Sequence, residues 1–489
     1  MASAVLAVLA YPTANWHLLI WVSLVPLLCC ALTRLPRQAL ADGWLTGAVF
    51  FALLLRWLDH TFRTYSAIPW PLTWLPILGL AGYCGLYTGA VAAGVSWVSR
   101  RLGPGLALAS APFFWVAGEW MRGHLLSGFP WGLLGYSQAF VPPVIQIAEW
   151  TGVYGVSFVI VSVNAALAGA VALGWRRAGH GAGAAALLLV LTLAAGWYSL
   201  GPGSERSVRV VVVQPSINQA EKWEPTVLDR TLAVYDRLTL EAKGFSPALV
   251  IWPETAVPLF LRQDPVTLER LRLLSVQVRA PLLLGAVDAD PPGTRRYFNS
   301  AFFLSEQGIG GKYDKIHLVP FGEYVPLSKF LGFVRAWAAF ISEFESGEGR
   351  TLFPLGDARF GVVICYEGIF PELFREFVAE GAQFMVNITN DAWFGETSGP
   401  WQHLAVLPLR AVENRVAIAR AANTGVSAIV EPSGRISQTL GLFRRGILED
   451  HLPARPRATF YTRHGDLFAY ACLGFSLAVL GGARVGRTG

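Results

Sequence analysis

Long apolar stretches fill most of the first 200 residues of this 489-residue chain, and they constrain its fold more than any other feature. Several approach the roughly 20 residues that a helix needs to cross a bilayer. Only 15% of the residues are charged, against roughly 25% in a typical soluble protein. The sequence therefore predicts a polytopic helical membrane base of about eight spans, in residues 1–11, 16–32, 44–58, 72–98, 106–120, 152–173, 182–200 and 467–480.

The first stretch is shorter than the others, and a cleavable signal peptide is the alternative interpretation of it. No basic segment precedes this stretch, and a second apolar stretch follows at once. A signal peptide normally begins with a positively charged segment. We therefore count the first stretch as a helix of the base.

Pairs of arginines recur in every second connection between the apolar stretches. Basic loops tend to stay in the cytoplasm, so these connections are predicted to be cytoplasmic. The polar segment after the seventh stretch then faces the other side of the membrane, which is the periplasm in a cell with two membranes. The net charge of +6 fits this orientation better than nucleic-acid binding, because no long basic run or recognition motif is present. The pairs are Arg34 and Arg37, Arg100 and Arg101, Arg176 and Arg177, and Arg484 and Arg487.

Residues 205–457 form a more polar segment between N-terminal helices in residues 1–204 and a C-terminal helix with a short tail in residues 458–489. Short apolar runs alternate with helical patterns there, which is typical of a layered α/β domain. The expected strands are 208–213, 248–252, 281–287, 301–304, 360–365, 383–388 and 426–430, and the expected helices are 226–242, 266–279, 371–380 and 403–421.

Cys365 is the single cysteine of this polar segment and ends a predicted strand. The other four cysteines lie in apolar stretches, where cysteine usually packs as a small hydrophobe. Glu254 follows another predicted strand, and open α/β sheets usually place their sites at the carboxyl ends of strands. A lone thiol with a carboxylate and an ammonium, here Lys315, indicates nucleophilic acyl chemistry: the carboxylate is a base, and the ammonium stabilises thiolate and oxyanion.

Each of these residues also has an ordinary structural interpretation. A carboxylate at a strand end is usually solvated, and a strand cysteine usually packs in the core. Lys315 is less ordinary, because only five of the 39 basic residues are lysines. No serine-centred elbow and no His/Cys cluster with metal-ligand spacing competes with the three residues as a site.

The three residues stand in segments that resemble the Glu-Lys-Cys triad of the nitrilase, or carbon-nitrogen hydrolase, superfamily. Further segments narrow the resemblance to the bacterial apolipoprotein N-acyltransferase family. The triad segments are Trp252-Pro-Glu254, Lys312-Tyr-Asp-Lys315 and Cys365-Tyr-Glu367; the others are Gly128-Phe-Pro-Trp131, Lys222-Trp-Glu-Pro225, Tyr297-Phe-Asn-Ser300, His317-Leu-Val-Pro-Phe-Gly-Glu-Tyr-Val-Pro326, Asn390-Asp-Ala-Trp-Phe-Gly395 and Glu413-Asn-Arg415.

The resemblance implies an αββα nitrilase-like domain on the helical membrane base. It also implies that the protein lies in the bacterial inner membrane, with this domain on the periplasmic side. It implies transfer of an acyl chain from a phospholipid, commonly phosphatidylethanolamine, to the free amine of an S-diacylglyceryl cysteine at the N-terminus of an apolipoprotein, without cofactor or metal. Cys365 is then the nucleophile of a thioester intermediate, Glu254 the base and Lys315 the oxyanion stabiliser. Glu323 corresponds to a further essential carboxylate, and the positions that shape or support the site are Trp223, Asn299, Tyr366, Glu367, Trp393 and Glu413.

Two further features leave alternatives open. Aromatic residues recur at helical spacing in residues 324–345, which predicts either a lid that touches lipid or a helix packed on its own domain. Arg56, Glu119 and Arg122 lie within apolar stretches, where they either orient lipid head groups or bind one another.

Two other functions compete with acyl transfer. A membrane-anchored amidase would use the same triad on small amides, but it would need neither seven preceding spans nor an apolar lid. A transporter with a regulatory external domain is disfavoured, because the spans show no internal repeat and the candidate chemistry lies in the polar segment.

Overall fold

The computed structural model describes residues 1–200, 207–219, 222, 225–294, 296–325, 343–454 and 458–485. The chain divides into two compact units. The helical unit comprises Met1–Asp59, Trp70–Gly201 and Thr459–Gly489, and the sheet unit comprises His60–Pro69 and Pro202–Ala458.

Within the described residues, the helical unit contains four helices that are long and apolar enough to cross a membrane. They are Trp74–Leu102, Val153–Leu173, Trp175–Ser199 and Leu467–Val485. A bent pair, Pro36–Leu54 followed by Trp57–Tyr65, makes a fifth candidate if it counts as one span. The other α-helices that the structure describes in this part of the chain are Ala2–Leu9, Ile20–Ser23, Val25–Thr33, Pro104–His124, Pro142–Ile145, Ala148–Thr151 and Phe460–His464.

Two buried charges of the helical unit, Arg122 and Glu119, bind the backbone of one loop. Arg122 Nη1 donates to the carbonyl oxygens of Phe129 and Trp131, each at 2.6 Å. Glu119 Oε1 accepts from the Leu134 amide at 2.7 Å. These bonds pair both charged side chains with backbone groups of the loop, so Glu119 and Arg122 hold the loop against helix Pro104–His124. The third charge, Arg56, is exposed at the break of the bent pair.

The sheet unit confirms the predicted α/β domain, because its strands form two sheets and alternate with helices along the chain. The strands in the described residues are β1 Ser207–Gln214, β2 Leu249–Ile251, β3 Val257–Phe260, β4 Leu282–Ala289, β5 Tyr297–Ser305, β6 Gly308–Asp314, β7 Leu352–Leu355, β8 Ala358–Ile364, β9 Phe384–Thr389, β10 Ile418–Ala422, β11 Ser427–Val430, β12 Ile436–Leu440 and β13 Gly446–Pro453. One sheet has the strand order β13-β1-β2-β4-β5-β6, with β3 beside β4, and the other has the order β12-β11-β10-β9-β8-β7.

The central strands read as continuous apolar runs because they are covered on both faces. In β1, Val211 and Val213 join a core with helices Leu228–Glu241 and Pro265–Val278 on one side of the first sheet. The two sheets meet through aromatic rings. The ring centroid of Phe303 in β5 lies 5.8 Å from that of Phe353 in β7 and 6.0 Å from that of Phe360 in β8. The helices that accompany the second sheet are Pro371–Ala379, Gly399–Leu404 and Leu407–Asn414.

One predicted helix is wrong at its C-terminal end. The pattern in residues 403–421 predicts a single helix, whereas the chain forms two short helices, Gly399–Leu404 and Leu407–Asn414, and then enters β10. Strand β10 pairs in parallel with β9 from Met385 to Thr389 and is entirely buried. Pairing with a partner strand outweighs the helical propensity of alanine there, because burial on both faces decides the conformation.

Candidate active site

The three predicted catalytic residues each follow the carboxyl end of a strand. Glu254 follows β2, Lys315 follows β6 and Cys365 follows β8. Strands β2 and β8 belong to different sheets, so the site forms where ends of the two sheets meet. The side chains of all three are buried.

Lys315 connects two carboxylates. Its Nζ lies 2.9 Å from Glu323 Oε1 and 3.6 Å from Glu254 Oε1, and the side chain is 1% exposed. Burial acts to lower the pKa of Lys315, but Glu323 and Glu254 outweigh it and hold the pKa well above its usual value. Lys315 is therefore a permanent cation within a dry site, which suits the stabilisation of a negative oxygen.

Glu254 is held by amide donors on both oxygens. Asn299 Nδ2 donates to Oε1 at 2.7 Å, and the Asn390 backbone amide donates to Oε2 at 2.8 Å. Asn299 Nδ2 also lies 3.0 Å from Glu323 Oε1, so one side-chain amide fixes both carboxylates. Glu323 Oε2 in turn accepts from the Val319 amide at 2.8 Å. The side chains of Glu254 and Lys315 are thus held in place by their neighbours.

Cys365 has a left-handed backbone, with a φ of +51°, at the start of a turn of 3₁₀ helix, Cys365–Ile369. Burial, followed by the charge of Glu254, raises the pKa of the Cys365 thiol well above its usual range, while Lys315 acts in the opposite direction. The charges of Glu254 and Lys315 therefore both act on the pKa of the thiol, in opposite directions. Since the resting thiol holds its proton, a base must remove that proton as the sulfur attacks.

Glu367 holds the turn in place. Its Oε1 accepts from the Tyr313 hydroxyl at 2.8 Å and the Ile316 amide at 2.6 Å, and its Oε2 accepts from the Ile364 amide at 2.7 Å. The carboxylate thereby ties the strand before Cys365 to the strand that leads to Lys315. Burial raises the pKa of Glu367 to about 7, in spite of these hydrogen bonds.

Three of the four remaining predicted positions are Tyr366, Glu413 and Trp223. Tyr366 lies on the same turn, with its ring 5.1 Å from Phe370. Glu413, in helix Leu407–Asn414, pairs with Arg410 at 2.9 Å. Trp223 lies outside the described residues, as do Phe330, Phe333, Trp337 and Phe340 of the predicted lid.

Trp393 is held by a segment that precedes the sheets in sequence. Thr61 Oγ1 donates to the Trp393 carbonyl at 2.9 Å, and the Tyr65 ring meets the Trp393 ring edge-on at 4.7 Å. Both residues belong to His60–Pro69, the part of the sheet unit that lies between apolar stretches. The sequence gives no signal of this contact, because more than 320 residues separate the two segments.

The structure also shows residues to which the sequence analysis assigned no role. Lys222 Nζ donates to the Glu254 carbonyl at 3.1 Å, and burial lowers the pKa of Lys222 to about 8. His403 contacts the Cys365 carbonyl through Nε2 at 3.1 Å and Asp391 Oδ1 through Nδ1 at 2.9 Å. Lys222 and Asp391 stand in the quoted motifs, whereas His403 has no local signal.

Cys365, Asp391 and His403 bring together donor types that bind zinc, with one donor atom of each within 4.8 Å of the others. Arg420 Nη2 already lies 2.6 Å from Asp391 Oδ2 and 3.1 Å from His403 Nδ1. A guanidinium therefore engages two of the three donor groups, and its positive charge opposes a metal ion. The cluster reads as a hydrogen-bonded network beside the thiol.

Comparison with known proteins gives a match across both units. A model for the apolipoprotein N-acyltransferase N-terminal domain matches residues 3–166, and a model for carbon-nitrogen hydrolases matches residues 209–458. The apolipoprotein N-acyltransferase of Geobacter metallireducens is 39% identical over 481 residues, which is 96% of this chain and 92% of that protein. The protein of the same name from Brucella suis is 35% identical, over 86% of this chain and 81% of its own.

Solved structures of an amidase from Nesterenkonia are also similar to part of the chain. One of them is 23% identical, has a TM-score of 0.41 and covers 54% of this chain and 94% of its own.

Proposed function

This chain belongs to the apolipoprotein N-acyltransferases, which are acyltransferases with a carbon-nitrogen hydrolase domain, and we propose that it moves an acyl chain from a membrane phospholipid to the N-terminal amine of an S-diacylglyceryl cysteine in apolipoproteins. One observation carries the proposal: the side chains of Glu254 and Lys315 lie 3.6 Å apart, and they are buried together with Cys365 where the ends of the two sheets meet. Phosphatidylethanolamine is the proposed donor.

In the first step, the thiol of Cys365 attacks the ester carbonyl carbon of the donor while Glu254 takes the thiol proton. Lys315 and the backbone amide of Tyr366 stabilise the oxyanion of the tetrahedral intermediate. The carbon–oxygen bond of the ester then breaks, and Glu254 returns the proton to the departing oxygen of the lysophospholipid. A thioester on Cys365 is left.

In the second step, the amine of the apolipoprotein attacks the thioester carbonyl, and Glu254 takes a proton from the amine. The same donors hold the second oxyanion. The carbon–sulfur bond breaks, the thiol of Cys365 regains its proton from Glu254, and the acyl chain leaves as an amide. Because both steps form a tetrahedral intermediate on one sulfur, the two substrates use the site in turn.

The relatives support acyl transfer over hydrolysis, because the apolipoprotein N-acyltransferase of Geobacter metallireducens matches 96% of this chain. Asn299 and Lys315 both bind Glu323, and the burial of Cys365 limits the access of water to a thioester. We further propose that the apolar helices complete an eight-span base in the bacterial inner membrane, with residues 205–457 on the periplasmic side. The segment 324–345 is the proposed lipid-facing lid.

The test is the intact mass of purified protein after incubation with phosphatidylethanolamine and no acceptor, beside the Cys365→Ala variant. We expect a gain of one acyl chain that neutral hydroxylamine removes and that the variant lacks. Addition of a diacylglyceryl peptide should then clear the acyl chain from the enzyme. A folded wild-type enzyme that gains no mass but hydrolyses a small amide would replace this proposal with the amidase function.

A further inference from the structure

The carbonyl of Cys365 is bound by a buried network that the mechanism above does not use. His403 is 1% exposed, and its Nε2 lies 3.1 Å from the Cys365 carbonyl oxygen. A carbonyl oxygen only accepts hydrogen bonds, so this contact requires a proton on Nε2. The network therefore contributes a fixed donor directly behind the nucleophile.

Asp391 and Arg420 hold the ring of His403. Nδ1 lies 2.9 Å from Asp391 Oδ1 and 3.1 Å from Arg420 Nη2. In an imidazolium ring Nδ1 donates to the carboxylate, and in a neutral ring it accepts from the guanidinium. Burial, followed by the charge of Arg420, lowers the pKa of His403, which favours the neutral ring with its proton on Nε2. In either form the Nε2 proton points to Cys365.

The network is anchored on both sides. Arg420 Nε donates to the Val426 carbonyl at 3.1 Å, and Asp391 Oδ1 accepts from Thr389 Oγ1 at 3.0 Å. Asp391 and Arg420 pair at 2.6 Å, so the guanidinium offsets the charge of the carboxylate. Asp391 still acts to raise the pKa of the Cys365 thiol, after burial and Glu254. His403 itself acts on Cys365 through the contact with its carbonyl.

The peptide that His403 holds also carries an oxyanion donor. The carbonyl of Cys365 and the amide N–H of Tyr366 belong to one planar trans peptide, in which the two groups point in opposite directions. A bond that fixes the carbonyl therefore fixes the direction of the N–H. The left-handed φ of Cys365, +51°, is consistent with such an anchor, because a non-glycine residue keeps this conformation only where its surroundings hold it.

We propose that His403, held by Asp391 and Arg420, is a positioning residue for acyl transfer: it binds the Cys365 carbonyl and thereby aims the Tyr366 N–H at the oxyanion of both tetrahedral intermediates. This inference rests on the proposed function. It predicts an effect on reactions that form an oxyanion and none on reactions of the thiol that do not.

The test measures two reactions of Cys365, in the full-length wild-type protein and in its His403→Leu variant. Acylation passes through an oxyanion, whereas alkylation by iodoacetamide is a direct displacement without one. We expect the variant to acylate about 10- to 100-fold more slowly, because a misaimed donor loses much of its stabilisation. The rate of Cys365 alkylation, measured by peptide mass mapping, should stay within about 3-fold of wild type, because this reaction forms no oxyanion.

Two control variants separate positioning from stability. His403→Gln can still donate to the carbonyl and should recover most of the acylation rate. Gln402→Leu removes a hydrogen bond of 3.1 Å to Ser398 from the same helix and should leave acylation within about 3-fold of wild type. Equal loss of acylation and alkylation in His403→Leu, or no loss of acylation, would overturn the inference.

Acylation is measured with phosphatidylethanolamine and, separately, with a p-nitrophenyl ester. If wild-type protein accepts only the p-nitrophenyl ester, the proposed phospholipid donor fails. The ester reaction then decides the role of His403 by itself, since it forms the same kind of oxyanion.

Discussion

At the residue scale, the site depends on one buried cation between two carboxylates. Lys315 lies 2.9 Å from Glu323 and 3.6 Å from Glu254, and Asn299 binds both carboxylates from the other side. A buried charge without its partner is strongly destabilising, so the three groups depend on one another. Activity and stability should therefore respond together when the cation is removed.

Lys315→Met removes the cation and leaves the two carboxylates facing each other. We expect acylation of Cys365 to fall by about 100- to 1000-fold, the usual loss on removing an oxyanion donor. We also expect a loss of roughly 3–5 kcal/mol in the free energy of unfolding, seen as a lower apparent Tm in detergent.

Lys312→Met is the matched control for this substitution. Lys312 is half-buried and binds Asp288, Asp290 and Asp314 away from the thiol. Its loss should change acylation by no more than about 3-fold. Full activity in Lys315→Met would contradict the role of Lys315.

Glu254→Gln should separate the reactivity of the thiol from catalysis. Burial raises the pKa of Cys365, and Glu254 raises it further. Without the carboxylate the pKa falls, and the thiolate fraction at a fixed pH rises about tenfold for each unit of pKa lost. We therefore expect faster alkylation of Cys365 by iodoacetamide at about pH 8, where the thiol is largely protonated.

Acylation of the same Glu254→Gln variant by phospholipid should fall by about 100-fold or more, because the general base is gone. Peptide mass mapping of Cys365 over time measures both reactions in parallel. Slower alkylation in the variant would show that Glu254 does not raise the pKa of the thiol.

At the scale of elements, the site needs the close approach of β4 to the turn after β2. An added Cβ at Gly285 of β4 would lie 2.4 Å from the Thr255 amide nitrogen and 2.7 Å from Glu254 Cα. Both neighbours are backbone atoms, so neither can move without displacing Glu254. Gly285 therefore sets the position of Glu254.

Gly285→Ala should displace Glu254 and destabilise the sheet unit. Overpacking of this kind costs about 1–3 kcal/mol. For a unit of this size each kcal/mol lowers Tm by about 2–4 °C. We expect a reduced apparent Tm together with slower acylation. Gly244→Ala is the control, because an added Cβ there meets nothing within 4 Å; equal behaviour of the two variants would contradict the steric argument.

At the scale of the whole molecule, the larger segment of the sheet unit, Pro202–Ala458, lies in sequence between helix Trp175–Ser199 and helix Leu467–Val485. Both helices are long and apolar enough to cross a membrane. Arginine pairs follow the sixth and eighth apolar stretches, as they follow the second and fourth earlier in the chain, whereas the polar segment follows the seventh. We therefore predict that the sheet unit is exposed outside the cytoplasm.

Cysteine labelling tests this orientation in intact spheroplasts. Glu306→Cys, at an exposed turn of the sheet unit, should react with a membrane-impermeant maleimide. Arg177→Cys, exposed beside a predicted cytoplasmic connection, should react only after the membrane is opened. Cys29 and Cys30 are replaced by serine in both proteins. If only Arg177→Cys were labelled in closed spheroplasts, the orientation would be the opposite of the predicted one.

The sequence by itself determined the features that depend on neighbouring residues. Apolar length indicated the helical base, alternating patterns indicated the α/β domain, and three short segments indicated Glu254, Lys315 and Cys365. These signals are local, since a helix, a strand or a motif is written in consecutive residues.

Only the tertiary structure decided which distant residues meet. Strand β10 forms because β9 lies beside it, although its own residues favour a helix. His403, Asp391 and Arg420 meet behind Cys365, and Asn299 bridges Glu254 and Glu323, through contacts between separate strands and helices. Burial and pairing between segments far apart in sequence fix these contacts, and no local pattern encodes them.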